Sequence, residues 1–359
     1  MKESHHLKNL TTFRSIAAFV VIISHIERFK HRNNIENWYD SPFLKNTGGH
    51  IAVILFFALS GFLITYLLLK EKNQTASVSL KKFYFRRILR VWPLYFLVLT
   101  LTYFLLDYPI TTTTLVMTLT LIPNIADGMM MRFEPCPPLW SIGVEEQFYL
   151  TWPWIIKYSK YVSWIILAVF VIITALPFIV LPRLASTNST AESIEMWTRL
   201  FENLKFNCMA AGAFFAVLLH QKSKVIDLLN RYKIIAFTFV ILPFYCWFTG
   251  INFTYCTDEI YSVLFSLSIV IACSSNHIPT LDYKPFAFLG TISYGLYMYH
   301  WIILEFIFKW NFIPQENTIL YNLLLYGISF ICSILFAWLS YHFIEKPFLN
   351  IKNRYSVLK

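Results

Sequence analysis

Eleven continuous apolar stretches decide what this chain can become. They are Leu10–Ile26, His50–Leu69, Phe83–Leu106, Thr112–Ile125, Ser141–Ile156 and Val162–Leu181, followed by Leu204–Leu219, Ile234–Gly250, Ile260–Ser274, Phe286–Phe308 and Ile319–Ile344. None alternates with period two, which argues against a transmembrane barrel. A backbone surrounded by lipid must satisfy its own hydrogen bonds, and continuous apolar runs do so as helices. Composition agrees, since only 14% of the 359 residues are charged, against about 25% in soluble domains. Ten crossings of ~20 residues would use roughly 200 positions and leave no polar gap long enough for a separate soluble domain. The expectation is therefore an all-α, polytopic integral membrane helical bundle. Residues 1–350 make its single transmembrane domain and 351–359 a short basic tail.

Charge sets the expected topology. The net charge of +10 reads as cytoplasmic loops facing an anionic leaflet rather than as a nucleic-acid surface. The segment Lys70–Arg90 carries seven basic residues against Glu71 alone, which places it in the cytoplasm. By the same bias, His220–Lys233 and the chain from Glu345 onward lie inside, whereas the acidic segments Asp107–Trp140 and Pro182–Asn203 lie outside. Two spans before Lys70 put the N-terminus inside, and a cytoplasmic tail then requires an even count. Ten transmembrane helices with both termini cytoplasmic follow, and one of the eleven stretches does not cross. Thr112–Ile125, short and rich in threonine, is the first choice, and Ser141–Ile156 the next. Six scattered cysteines with no CxxC pair suit neither a metal site nor a disulfide framework, and no metal is expected.

Ionisable side chains inside spans are costly and mark candidate sites. Arg14 and His25 are eleven residues apart on the first helix, on nearly the same face and roughly 16 Å apart along it. His25 reads either as an interfacial residue or as a general base. Arg86, Arg87 and Arg90 share a face at the inner boundary, as a lipid anchor or as a bidentate site for a phosphorylated cytoplasmic ligand. Glu145 and Glu146 enter an apolar helix just after Ser141. Either Ser141 caps that helix with the acids in its first turn, or a carboxylate orients the His25 imidazole. Ser293, Tyr297 and His300 form one polar stripe, which serves either a site or interhelical hydrogen bonding. Ser340 to Pro347, at the inner boundary, reads mainly as an anchor, and Ala210–Ala213 with Ser60-Gly61 as close-packing positions.

Taken together, these segments resemble the acyltransferase-3 family of membrane acyltransferases over nearly the whole chain and in motif order. Leu10-Thr11-Thr12-Phe13-Arg14 through His25 is similar to the family's Arg-x10-His helix, and Leu55–Ile64 to its second-helix signature. Arg87-Ile88-Leu89-Arg90 resembles its Arg-x-x-Arg, and Trp140–Tyr149 its Trp-Ser-Leu-x-Val-Glu-Glu-Gln-Phe-Tyr block. Ile292–Tyr297 and Ser340-Tyr341 with Glu345-Lys346-Pro347 resemble the closing motifs. One departure is Thr11, where many members carry an aspartate ahead of the arginine.

The resemblance implies acyl transfer, commonly O-acetylation, from acetyl-CoA or another cytoplasmic acyl-CoA to a hydroxyl of a surface polysaccharide or its lipid-linked precursor. Lipopolysaccharide O-antigen is an example of such an acceptor. It implies Arg86, Arg87 and Arg90 on the coenzyme A phosphates, Arg14 along the route inward and His25 as base. Glu145 or Glu146 would orient His25, while Ser293, Tyr297 and His300 would line the acceptor side. The expected location is a bacterial inner membrane. No appended hydrolase-like domain is expected, so the chain would act alone or with a separate extracytoplasmic partner. Peptidoglycan, a glucan or a macrolide are alternative acceptors. A non-enzymatic transporter of a lipid-linked or acidic substrate is the alternative from another class.

Overall fold

A computed structural model describes residues 7–187 and 189–354. Both termini and the tail beyond residue 354 lie outside the described residues. In chain order the first helices are α1 (Leu10–Arg32), α2 (Pro42–Asn46), α3 (Gly48–Thr75), α4 (Leu80–Leu105), α5 (Thr112–Leu119) and α6 (Pro123–Gly128). Then come α7 (Leu139–Tyr158), α8 (Val162–Ser186), α9 (Ala191–Glu202), α10 (Phe206–His220), α11 (Lys224–Arg231) and α12 (Lys233–Phe248). The last are α13 (Thr257–Ser274), α14 (Lys284–Thr291), α15 (Ser293–Trp310), α16 (Thr318–Ser340) and, after a π-turn at Tyr341–Glu345, α17 (Lys346–Arg354). No strand occurs among the described residues.

Among the described residues, six helical segments are long and apolar enough to cross a membrane: α1, α3, α4, α8, α13 and the continuous run Thr318–Ile351. The stretch Thr112–Ile125 is not one helix. It falls into α5, of 8 residues, and α6, of 6, and eight residues reach only about 12 Å of the ~30 Å hydrocarbon core. Ser141–Ile156, by contrast, lies within the 20 residues of α7, about 30 Å long. The Phe286–Phe308 stretch is broken at Ile292 into α14 and α15, and the polar gap Pro182–Asn203 contains the end of α8 and all of α9.

The chain divides into two compact units, each built from two separate pieces. One holds the chain through Leu69 together with Ala211–Tyr294; the other holds Lys70–Ala210 together with the chain from Gly295.

In the first unit α1 packs on α13 and α14, and α12 on α13. Phe13, Ala17, Ala18, Ile22 and Ile26 of α1 are buried, and Phe244, Trp247 and Phe265 form an aromatic cluster between α12 and α13. The start of α1 carries no side-chain cap of its own, so its first N–H groups need acceptors from elsewhere. Asp282, from the α13–α14 connection, supplies them, accepting from the N–H groups of Asn9 (2.6 Å) and Thr12 (3.1 Å) and from the hydroxyls of Thr11 and Thr12. Burial alone would raise the Asp282 pKa, but these hydrogen bonds outweigh it and hold the carboxyl below its usual range. Thr11 thus meets a carboxylate brought in from 271 residues away. Gly212 lets α10 touch α3, because a Cβ there would lie 2.1 Å from the Ala58 carbonyl oxygen. The small-residue reading of Ala210–Ala213 is realised at this point.

In the second unit α4 packs on α7, on the π-turn and on α17, while α6 contacts α7 and α9. Gly143 brings α7 against Pro123 and Asn124, beside a reciprocal Asn124–Gln147 amide pair at 2.7 and 3.3 Å. Gly295 allows α15 to approach α16 at Ala337.

Candidate functional site

The basic segment is organised by its single acid. Glu71, at the end of α3, has a side chain only 2% exposed. One of its oxygens accepts the Ser79 N–H at 2.8 Å, and the other accepts Arg86 Nη2 at 3.1 Å. This clasp ties the α3–α4 turn down and sets the start of α4. Arg86 is therefore already committed to a carboxylate, whereas sequence reading grouped it with the phosphate ligands.

Arg87 is placed differently. Its guanidinium lies over the rings of Phe83 (5.6 Å) and Tyr149 (5.3 Å), and its Nε is buried without a hydrogen-bond partner among the described residues. Contact with aromatic rings partly desolvates a guanidinium while leaving its N–H groups able to reach an anion. Arg90, one turn further, is half-buried.

The paired acids of α7 follow. Glu145 accepts the Tyr149 hydroxyl at 2.8 Å, and Glu146 accepts the Trp92 indole N–H at 2.8 Å. The other Glu146 oxygen is buried with no partner among the described residues, within electrostatic reach of Arg87. The capping explanation for these acids is corrected here. Helix α7 begins after Pro138, and its first turn holds no acid. Ser141 instead exchanges a 2.7 Å hydrogen bond with the Tyr297 hydroxyl. Two carboxylates beyond the first turn gain little from the helix dipole, whose effect fades within that turn.

Tyr297 also donates to the Pro138 carbonyl at 3.0 Å, fastening α15 to the start of α7. His300 is fully buried, with Nδ1 3.2 Å from the Leu296 carbonyl oxygen. Ser293, at the start of α15, donates to the Gly290 carbonyl at 2.9 Å and stitches the α14–α15 break. Each of these three polar groups thus makes a polar contact within the helical packing.

Arg14 and His25 sit on α1 in the other unit. Both are half-buried on a helix whose neighbouring positions are mostly buried. Beside His25, Ser24 packs against the glycine pair that opens α3, where a Cβ on Gly49 would lie 2.8 Å from the Ser24 Cβ. The structure thus gathers Arg86, Arg87, Arg90, Glu145, Glu146, Tyr297 and His300 in one unit, and Arg14, His25 and Ser293 in the other.

Two polar side chains that sequence reading did not select shape this region: Glu71 and Trp92. Glu71 had a signal, as the lone acid among seven bases. Trp92 had none beyond its place after Arg90.

The chain matches the family model described as an acyltransferase domain over residues 7–341. It is 27% identical over 379 aligned positions to a Staphylococcus aureus (strain COL) protein that carries a provisional O-acetyltransferase name. It is 26% identical over 372 positions to the O-acetyltransferase OatA of S. aureus strains NCTC 8325 and COL. Each alignment covers 97% of this chain, which spans 58% of the length of those relatives. No solved structure matches it significantly. A polytopic helical chain whose match to that family model runs from residue 7 to residue 341 belongs to the acyltransferase-3 family.

Proposed function

We propose that this chain is a membrane O-acyltransferase that moves an acyl group, acetyl in the first instance, from cytoplasmic acyl-CoA to a hydroxyl of a surface glycan or its lipid-linked precursor. The observation that carries the reading is Arg87. A guanidinium held against two aromatic rings, with a buried and unpartnered Nε, is a costly arrangement for a lipid anchor and a suitable one for a phosphate ester. Arg87 and Arg90 would grip the coenzyme A phosphates, while Arg86, through Glu71, holds the start of α4 in place. Glu146 and Glu145 would keep the Arg87–Tyr149–Trp92 cluster in register.

Arg14 would line the inward route and His25, about two-thirds of the way along α1, would be the base. In the transfer, His25 takes the proton of the acceptor hydroxyl as its oxygen attacks the thioester carbonyl. The C–S bond then breaks, and coenzyme A leaves as the thiolate. The bilayer crossings of this reading are the six long apolar segments plus α7, α10, α12 and the α14–α15 pair, ten in all. Both termini are cytoplasmic, in a bacterial inner membrane. Lipopolysaccharide O-antigen is one acceptor of this class.

The test uses purified full-length protein with acetyl-CoA and a panel of glycan acceptors. Wild type is expected to form O-acetyl glycan, and His25→Ala to abolish it while keeping the melting temperature. Normal acetylation by His25→Ala would remove His25 from the chemistry. Movement of a glycan lipid without consumption of acetyl-CoA would replace the enzyme with a transporter.

A further inference from the structure

A pair of titratable groups in the first unit is left unused by the site above. His50, in the first turn of α3, directs Nε2 at Asp258, in the first turn of α13, and both carboxylate oxygens lie 2.9 Å from that nitrogen. A carboxylate only accepts, so Nε2 carries the proton and the neutral ring presents Nδ1 as a lone pair. The Asp258 side chain is 15% exposed and that of His50 49% exposed. Nδ1 takes no hydrogen bond from the protein among the described residues.

The backbone beneath His50 is fixed on three sides. The Thr47 hydroxyl donates to the Trp247 carbonyl at 2.9 Å, and the Trp247 indole N–H donates to the Gly48 carbonyl at 3.0 Å. Gly48 lies against α2, where a Cβ would meet the Leu44 side chain at 3.4 Å, and Gly49 lies against Ser24 of α1. Ser24 and Gly49 each precede a histidine, so their contact brings the Cα atoms of His25 and His50 within about 14 Å of each other. The pair sits at the end of α3 opposite the basic segment Lys70–Arg90, which is the outer side in the crossing scheme proposed above.

A tie between two helix starts uses Nε2 alone and gives no use to Nδ1. The open nitrogen is an oriented acceptor on a half-exposed ring, and what complements it is a neutral hydrogen-bond donor. Phosphate groups of the acyl donor supply acceptors and would meet Asp258 as a like charge. A sugar hydroxyl supplies the donor without the charge.

We propose that His50, oriented by Asp258, binds the acceptor, its Nδ1 accepting a hydrogen bond from a glycan hydroxyl other than the one that reacts at His25. The proposal rests on the reading of a glycan as acceptor and of His25 as base. No proton is transferred at His50. The contact of Ser24 with Gly49 then sets the spacing between the held hydroxyl and the reacting one.

The experiment uses purified full-length wild type, His50→Gln and His50→Ala with acetyl-CoA. The acceptors are the glycan selected by the panel above and its monodeoxy analogues, each lacking one hydroxyl. Glutamine keeps an N–H for Asp258 and removes the imidazole Nδ1, whereas alanine removes both. Both variants are expected to raise acceptor KM about fivefold, the worth of one neutral hydrogen bond, with donor KM and kcat unchanged. One deoxy analogue should lose that same factor with wild type and nothing further with His50→Gln. The melting temperature should stay near wild type for His50→Gln and fall for His50→Ala. If His50→Gln has the wild-type acceptor KM, the pair only ties α3 to α13 and the proposal fails, while the acetylation reading stands. Losses that multiply for every deoxy analogue overturn it as well. A wild type that acetylates no glycan of the panel removes the acceptor reading and this role with it.

Discussion

The Glu71–Arg86 clasp makes a prediction whose size follows from its burial. The Glu71 side chain is 2% exposed and that of Arg86 15% exposed, with 3.1 Å between Oε2 and Nη2. Removing one partner of a buried pair typically costs about 3–5 kcal/mol, because the other charge is left without compensation. For Glu71→Ala, Arg86 loses this carboxylate but retains some solvent, so the loss should fall near the low end, about 3 kcal/mol. For Arg86→Ala the stranded group is the deeper carboxylate, left with the Ser79 N–H alone, and about 4 kcal/mol is expected. The double variant strands neither charge. It loses mainly the acceptor for the Ser79 N–H, roughly 1–2 kcal/mol. The coupling between the two sites is then several kcal/mol in size and protective in sign. Melting curves of the four proteins in one detergent give the ranking directly. Each single variant should melt several degrees lower than the double. If the double variant falls by the sum of the singles, the two residues are independent and the clasp does not organise α4.

Gly212→Ala places a methyl 2.1 Å from the Ala58 carbonyl oxygen and 2.8 Å from the Phe62 nitrogen, so α3 and α10 must separate. An overpacking cost of about 1–3 kcal/mol follows, and a melting temperature equal to wild type would refute the close approach. Asp282→Asn weakens the cap on α1 by about 1 kcal/mol, a figure reduced for the partial exposure of the carboxylate. Because the folded-state pKa of Asp282 lies below its ordinary value of 3.8, its contribution is complete above that value. It is lost as pH falls through the lower folded pKa. Wild type and Asp282→Asn should therefore differ in melting temperature at neutral pH and converge in strong acid. A difference that persists in strong acid would count against the cap.

Much of the architecture was legible before any fold was known. The stretch Thr112–Ile125, expected not to cross, forms two short helices, α5 of 8 residues and α6 of 6, the second opening at Pro123. The break at Ile292 was not legible, because nothing in that apolar run marks it except the Gly290 contact with Thr11 across the α1–α14 packing. At the site, the partners of the polar residues were not legible: Ser141, one candidate helix cap, pairs instead with Tyr297, and Arg86 pairs with Glu71.

What the sequence alone determined was the membrane-embedded all-helical class, the concentration of basic residues in Lys70–Arg90 and the order of the family motifs. These depend on hydropathy and charge within a window of some twenty residues, so they can be read locally. Only the tertiary structure decided which charges are already engaged and which remain open. The deciding partners lie far apart in the chain, with 15 residues between Glu71 and Arg86, 156 between Ser141 and Tyr297 and 271 between Thr11 and Asp282. Burying a polar group is tolerable only where its partner arrives, and that arrival is a property of packing rather than of any local stretch of sequence.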